Sequence, residues 1–201
     1  MKILFASQNK GKQNEAKELF KTLDVELVFP SDFPELKDFD AKETGKTFIA
    51  NAILKARIYS SIVNLPCIAD DSGIIIDGMD GLPGIHSNRW FNGTSDERNF
   101  EVLKRLKNKQ LPEERSARYL TAVCYYDPKS KEYETFEEIQ AGFIGKEIIG
   151  SAGFDYDRIF IPEGYEKTFA QLGDRLKNQM SHRARAYKKI RSLIEVLLRK
   201  K

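Results

Sequence analysis

Two adjacent carboxylates, Asp70 and Asp71, stand in the middle of the run Cys67-Ile68-Ala69-Asp70-Asp71-Ser72-Gly73-Ile74-Ile75-Ile76. The β-branched and apolar neighbours read as a buried strand pair, 67–69 and 74–76, interrupted by the four residues between them. Charges in such a run are costly unless they bind a metal, do acid–base work or are well hydrogen-bonded. Neighbouring strand residues point to opposite faces, so one carboxylate can face a site while backbone donors hold the other. A tight acidic turn is the plainer alternative, but the β-branched flanks argue against simple exposure.

The rest of the chain supplies a scaffold for that run. An apolar strand over 2–6 leads into a helix opening near Asn9, with Ala16, Leu19, Phe20 and Leu23 as its inward stripe. A short strand over 25–29 ends at Pro30, and the acidic, turn-rich stretch 31–43 reads as a loop. A second helix begins near Thr44 to Thr47, carries Ile49, Ala52, Ile53 and Ala56 on one face, and runs to about Asn64. The Gly- and Pro-rich stretch 78–93 is a long ordered loop of the kind that tends to be functional. A helix with Phe100, Leu103 and Leu106 follows. Strands over 118–126 and 133–139, joined by Asp127-Pro128-Lys129-Ser130, make a hairpin. A strand over 158–161 and a final helix over 181–198, with Tyr187, Ile190, Ile194 and Leu197 inward, complete a mixed-sheet α/β pattern in one domain, residues 1–201.

Three further segments carry chemical groups. Ser7-Gln8-Asn9-Lys10-Gly11-Lys12 sits between a strand and a helix, where unpaired backbone N–H groups attract anions. Asn9 can cap the helix, and Lys12 can put its ammonium on a phosphate. The two-glycine spacing of a Walker motif is absent, and an N-cap flanked by surface lysines is the plainer reading. Gly153-Phe154-Asp155-Tyr156-Asp157 offers aromatics to stack on a base and acids to bond its edge, although aromatics there also suit a core. Lys177 with Ser181-His182-Arg183, placed at the start of the last helix, forms a cationic cup for phosphate or a keto oxygen, or an exposed basic helix start.

Composition narrows the class. Apolar residues at 41% and charged residues at 31% suit a globular protein, and no run approaches the ~20 apolar residues of a membrane span. The few apolar residues before Ser7 are too short for a signal peptide. Cys67 and Cys124 lie in apolar strand-like segments, which fits two reduced thiols and a cytoplasmic protein. A net charge of +3, spread among acidic residues, permits an anionic small molecule without requiring one. Oxygen ligands with no His or Cys cluster nearby point to Mg²⁺ or Mn²⁺. Glu43 is a further candidate carboxylate.

Taken in order, these segments resemble the inosine triphosphate pyrophosphatase family, the non-standard purine nucleoside triphosphate pyrophosphatases that act on dITP and XTP. The resemblance rests on Ser-x-Asn-x-x-Lys at 7–12, Glu-Thr-Gly-x-Thr-Phe-x-x-Asn-Ala at 43–52 and Ala-Asp-Asp-Ser-Gly at 69–73. It continues with Gly-x-Pro-Gly at 81–84, Gly-Phe-x-Tyr-Asp at 153–157, and Lys177 followed by Ser-His-Arg at 181–183. It spans nearly the whole chain. It implies an α/β fold with a long mixed central sheet and flanking helices, two lobes around a nucleotide cleft, and a homodimer. It also implies hydrolysis of ITP, dITP and XTP to the monophosphate and pyrophosphate.

By the same resemblance, Ser7, Asn9 and Lys12 bind the triphosphate, and Glu43 and Asp71 hold Mg²⁺, with Asp71 also the general base. Ser72 touches substrate and Phe154 stacks on the base. Tyr156, Asp157, Lys177, His182 and Arg183 complete base and phosphate recognition. Two residues depart from the family pattern: Asp155 stands where Gly is common and Arg158 where Pro is usual, a charged pair beside the base pocket. His86 replaces an aromatic and is read as structural or surface. The competing readings are a related pyrophosphatase of methylated or pyrimidine nucleotides and a non-catalytic nucleotide-binding module. The inward stripe of the last helix and the acidic pair speak against a nucleic-acid surface.

Overall fold

The computed structural model describes residues 1–199, and its sheet is mixed, in the order β2-β1-β3-β4-β5-β6. The strands are β1 (Lys2–Phe5), β2 (Glu26–Val28), β3 (Cys67–Ile76), β4 (Ser116–Tyr126), β5 (Tyr133–Ile144) and β6 (Phe160–Pro162). Six α-helices accompany them among the described residues: α1 (Lys10–Phe20), α2 (Phe48–Val63), α3 (Ser95–Arg105), α4 (Phe169–Leu172), α5 (Asp174–Met180) and α6 (His182–Arg199). None is long and apolar enough to cross a membrane.

β1 explains its own position. Ile3, Leu4 and Phe5 are all fully buried, an uninterrupted apolar run of the kind that suits a strand covered on both faces. It pairs in parallel with β2 (Ile3 opposite Leu27) and with β3 (Phe5 opposite Ile68), whereas β5 and β6 pair antiparallel (Phe143 opposite Ile161). The β4 to β5 turn is closed by Asp127 N–H donating to Glu132 O and Lys131 N–H to Asp127 O.

The chain divides into two compact units. The first comprises Met1–Asp71, Thr121–Glu138 and the chain from Arg183 onward; the second comprises Ser72–Leu120 and Ile139–His182. The first has a core of Ile3, Phe5, Ala16, Phe20, Ile68 and Val123 closed by Tyr187, Ile190 and Ile194 of α6. The second has its own core, in which Ile74, Ile76, Val102, Leu106, Tyr119, Phe160 and Phe169 pack together.

Several expectations change in detail. The run 67–76 is one ten-residue strand rather than two short ones, with both aspartates inside it; cation partners, described below, remove the need for a turn. Phe100 is exposed, and Val102 with Leu106 supplies the buried stripe of α3. On α2, Ala52 and Ala56 are buried as expected but Ile49 and Ile53 are only half-buried, because Phe48 and Tyr59 fill that interior. Lys177 lies on the separate short helix α5, not at the start of the last helix. Since Ile190 is fully buried in the first core, Ile190→Ala should cost about 2–5 kcal/mol of unfolding free energy, measured by urea denaturation.

Candidate functional site

The candidate residues fall into two sets, one in each unit. In the first unit, Asn9 caps α1 as expected: its extended backbone turns the chain, and its Oδ1 accepts from Lys12 N–H at 3.1 Å. Ser7 Oγ accepts from Asn9 N–H at 3.3 Å, and Gln13 Nε2 donates to Ser7 O at 2.7 Å, so the turn is locked from both sides. Lys12 is buried, and its Nζ lies 2.7 Å from Asp70 Oδ2. Arg183 donates from Nη1 to Glu15 Oε2 at 2.9 Å and holds its Nε 3.9 Å from Asp70 Oδ2. Burial alone would raise the Asp70 carboxyl, but Lys12, Arg183 and Lys55 together push it far below the usual carboxylate range.

Asp71 meets the opposite conditions. Burial pushes its carboxyl up and the charge of Glu43 adds to that, while Lys55 and an amide from Asn51 oppose it; the net shift is upward. Asn51 Nδ2 donates to Asp71 Oδ2 at 2.9 Å, and Asn51 Oδ1 accepts from Gly45 N–H at 2.8 Å, which fixes the amide with its donors toward the carboxylate. Gly45 is required there, because a Cβ would stand 2.5 Å from Asn51 Oδ1. Lys55 Nζ donates to Glu43 Oε1 at 2.8 Å and lies 3.9 Å from Asp71 Oδ1. Burial works against the Lys55 charge, but Asp71, Asp70 and Glu43 more than offset it and raise its pKa.

In the second unit, Asp157 is the hub. Its Oδ2 takes Lys177 Nζ at 2.6 Å and Phe154 N–H at 2.8 Å, and Tyr119 Oη approaches Oδ1 at 3.4 Å. The Lys177 ammonium also sits 4.1 Å from the centre of the Phe154 ring, a cation–π contact. Gly153 has φ +76°, and a Cβ there would press into the Asp157 carboxylate. The His182 imidazole stacks on Tyr119, 4.8 Å between centroids and 4° from parallel. Ser72, half-buried, follows Asp71 directly in β3.

Tyr156, expected to contact substrate, is 1% exposed and belongs to the second core. Its hydroxyl donates to Ser87 O and accepts from Trp90 Nε1, each at 2.6 Å, so it props the turn from within. Lys55, Glu15 and Tyr119 lie outside the sequence motifs, and Asn51 stands in the 43–52 motif without a role assigned to it. Asn51 and Lys55 carried a usable signal, since residues four apart share a helix face with the buried Ala52 and Ala56. Hollows of about 630 Å³ beside α2 and about 640 Å³ beside the 127–132 turn contain none of the candidate residues.

The donor chemistry in the first unit suits a hard divalent cation. Glu43 and Asp71 are oxygen donors, and the Glu43 charge helps to raise the Asp71 carboxyl, which marks a place that favours added positive charge. Among the described residues no group of three or more His, Cys, Asp or Glu is arranged so that it could hold a metal ion by itself. Two carboxylates, completed by water and phosphate oxygens, match how Mg²⁺ is held alongside nucleotides.

Residues 3–193 match the model of the Ham1 family. The dITP/XTP pyrophosphatase of Oceanobacillus iheyensis is 43% identical over 188 residues, covering 92% of this chain and 93% of that protein. That of Listeria monocytogenes is 37% identical over 199 residues, covering 98% and 96%. Among solved structures, a HAM1 protein from Coxiella burnetii superposes with a TM-score of 0.87 at 32% identity, covering 97% of this chain and 98% of that one. A nucleoside-triphosphatase, dITP/XTP pyrophosphatase, from Mycobacterium abscessus gives 0.76 at 35% identity, covering 94% and 98%.

Removing the Lys12 charge would leave Asp70 buried against a weakened counter-charge. Lys12→Met should therefore destabilise the fold by about 3 kcal/mol in urea denaturation, and Lys12→Met with Asp70→Leu should recover much of that loss.

Proposed function

The chain belongs to the Ham1 family, and from that kinship we propose that it hydrolyses the non-standard purine nucleoside triphosphates ITP, dITP and XTP to the monophosphate and pyrophosphate. The observation that carries the reading is the buried carboxylate of Asp71, pushed up in pKa, aimed by Asn51 and facing the Lys55 ammonium that also takes Glu43.

Asp71 takes the proton of the attacking water as its oxygen forms a bond to the α-phosphorus. The bond from that phosphorus to the bridging oxygen breaks, and pyrophosphate leaves with the electron pair. Lys12, Lys55 and Arg183 are the cations available in the same unit to meet the triphosphate charge. No side-chain nucleophile is needed. Glu43 and Asp71 would hold Mg²⁺, or Mn²⁺ in its place, and that ion when bound supplies positive charge for the leaving pyrophosphate.

Phe154 offers its ring to the base. Lys177, held by Asp157, donates to the 6-keto oxygen that hypoxanthine, xanthine and guanine share, a contact that separates them from adenine and leaves guanine to be rejected at C2. A donor set built for a keto oxygen discriminates against the amino group of adenine, because its own N–H groups would then lack an acceptor. His182, pinned flat against Tyr119, adds a second polar ring to the same unit. The resemblance drawn from the sequence adds a homodimer, and the reduced thiols of Cys67 and Cys124 a cytoplasmic setting; both belong to the proposal.

The test is pyrophosphate release from ITP, XTP, dITP, ATP, GTP and a methylated pyrimidine triphosphate, each with Mg²⁺ and with excess chelator. Metal-dependent release from ITP, dITP and XTP, with ATP and GTP slow, is expected. Asp71→Asn should lower kcat by about 10²–10⁴-fold while nucleotide affinity is largely kept. Release mainly from the pyrimidine would overturn the substrate class, and a fully active Asp71→Asn would remove the base.

A further inference from the structure

Segment 150–158 contains Phe154 and Asp157, and its shape is imposed from outside. Asp155, at its tip, has φ +54°, a left-handed conformation that a side chain with a Cβ adopts at a cost. Helix α3 holds it there: Ser95 Oγ donates to Asp155 O at 2.7 Å and Asn99 Nδ2 donates to the same oxygen at 3.1 Å. Tyr156 is fixed by Ser87 and Trp90 as described above. At the closing end, Ile149 N–H donates to Arg158 O at 2.8 Å and Ala170 N–H to Asp157 O at 3.0 Å. The Arg158 side chain adds a tie of its own: its Nε donates to Gly150 O at 2.9 Å, joining the two ends of the segment. Its Nη1 lies 2.6 and 2.7 Å from the two carboxylate oxygens of Asp96, in the first turn of α3.

We propose that Arg158, tied to Asp96 and to the Gly150 carbonyl, is a positioning residue that sets where turn 153–157 holds Phe154 and the ion pair of Asp157 with Lys177, and thereby sets how tightly the protein takes a 6-keto nucleobase. Arg158 immediately follows Asp157, so a shift of its backbone is passed on without slack to the carboxylate that aims Lys177. The same helix therefore grips the segment at its tip, through Asp155, and at its closing end, through Arg158. Asp96 and Arg158 are themselves well exposed, with side chains 62% and 35% accessible. An exposed ion pair adds little to global stability, so its worth here lies in geometry. The inference rests on the nucleotide reading of the site, and it adds to that reading a residue that touches neither base nor phosphate.

Trp90 supplies a reporter. It is the sole tryptophan of the chain, and its indole N–H bonds to the hydroxyl of Tyr156 inside the turn. Its emission therefore follows the turn whether or not any bond is hydrolysed. The experiment compares wild type with Arg158→Ala, Arg158→Lys and the exchange Asp96→Arg with Arg158→Asp. It measures KM and kcat for ITP, the inhibition constant of inorganic tripolyphosphate, which has no base, and the Kd of IMP from Trp90 fluorescence.

For Arg158→Ala, KM for ITP and Kd for IMP should rise by about tenfold, with kcat and the tripolyphosphate constant nearly unchanged and melting within a few degrees of wild type. Arg158→Lys should fall between, since it keeps the charge and loses the Nε bond to Gly150. The charge exchange should recover part of the IMP affinity. Unchanged KM and Kd in Arg158→Ala would overturn the proposal. So would equal weakening of ITP and tripolyphosphate, which would mark a general loss of structure. A wild type that releases no pyrophosphate would fail the hydrolytic reading alone, because the IMP titration still decides the role of Arg158.

Discussion

The ion pair of Lys12 with Asp70 is the constraint from which the first unit follows. Both groups are buried, and neither charge would be tolerated alone at that depth. Lys12 sits in the first turn of α1 and Asp70 in the middle of β3, so their 2.7 Å contact pins the start of the helix onto the strand. Once Asp70 is committed to Lys12 and Arg183, the alternation of a strand sends Asp71 to the other face. There it meets Asn51 and Lys55 of α2 and the carboxylate of Glu43. One dipeptide thus separates two environments. Asp70 is held ionised by cations, and Asp71 is pushed toward its protonated form by burial and a neighbouring acid. Adjacent titratable groups with oppositely displaced pKa values are the arrangement from which acid and base roles are drawn.

The parts of this architecture that were legible from the sequence are those in which a short-range pattern decides the outcome. The stripe Tyr187, Ile190 and Ile194 predicts the inward face of α6, since a period of 3.6 leaves those residues on one side and the core accepts them. Asn9 as a cap and the hairpin turn at 127–132 are equally local. The continuity of β3 was not legible, because what permits two aspartates mid-strand is supplied by Lys12 and Arg183, far away along the chain. Lys55 stayed hidden for a related reason. A lysine on a helix ordinarily faces water, and only the fold reveals three carboxylates around its ammonium. Helices α4 and α5 are too short to show a period, so the sequence pattern does not separate Lys177 from the helix that follows.

The two units solve different physical problems. In the first, charge balance is the theme: Asp70, Asp71, Glu43 and Glu15 stand against Lys12, Lys55 and Arg183 in a set of ion pairs. On the proposed function, cations now paired with carboxylates would be the groups that pair with phosphates instead. In the second unit the theme is shape. Asp157 receives donors from Lys177, Phe154 N–H and Tyr119, and the aromatic rings of Tyr119, Phe160 and Phe169 pack edge-on or tilted against one another.

That division gives the strained turn its meaning. A left-handed Asp155 is unfavourable in isolation, and three α3 side chains, Ser95, Asp96 and Asn99, are spent on keeping the segment around it in place. A fold under selection for stability alone would relax the turn with a residue that adopts this backbone freely. Retaining a side chain there while bracing it from a neighbouring helix makes the position of the turn depend on α3. On the proposed reading of this turn as the base-binding element, the preference for one base over another becomes adjustable from residues that never meet the ligand.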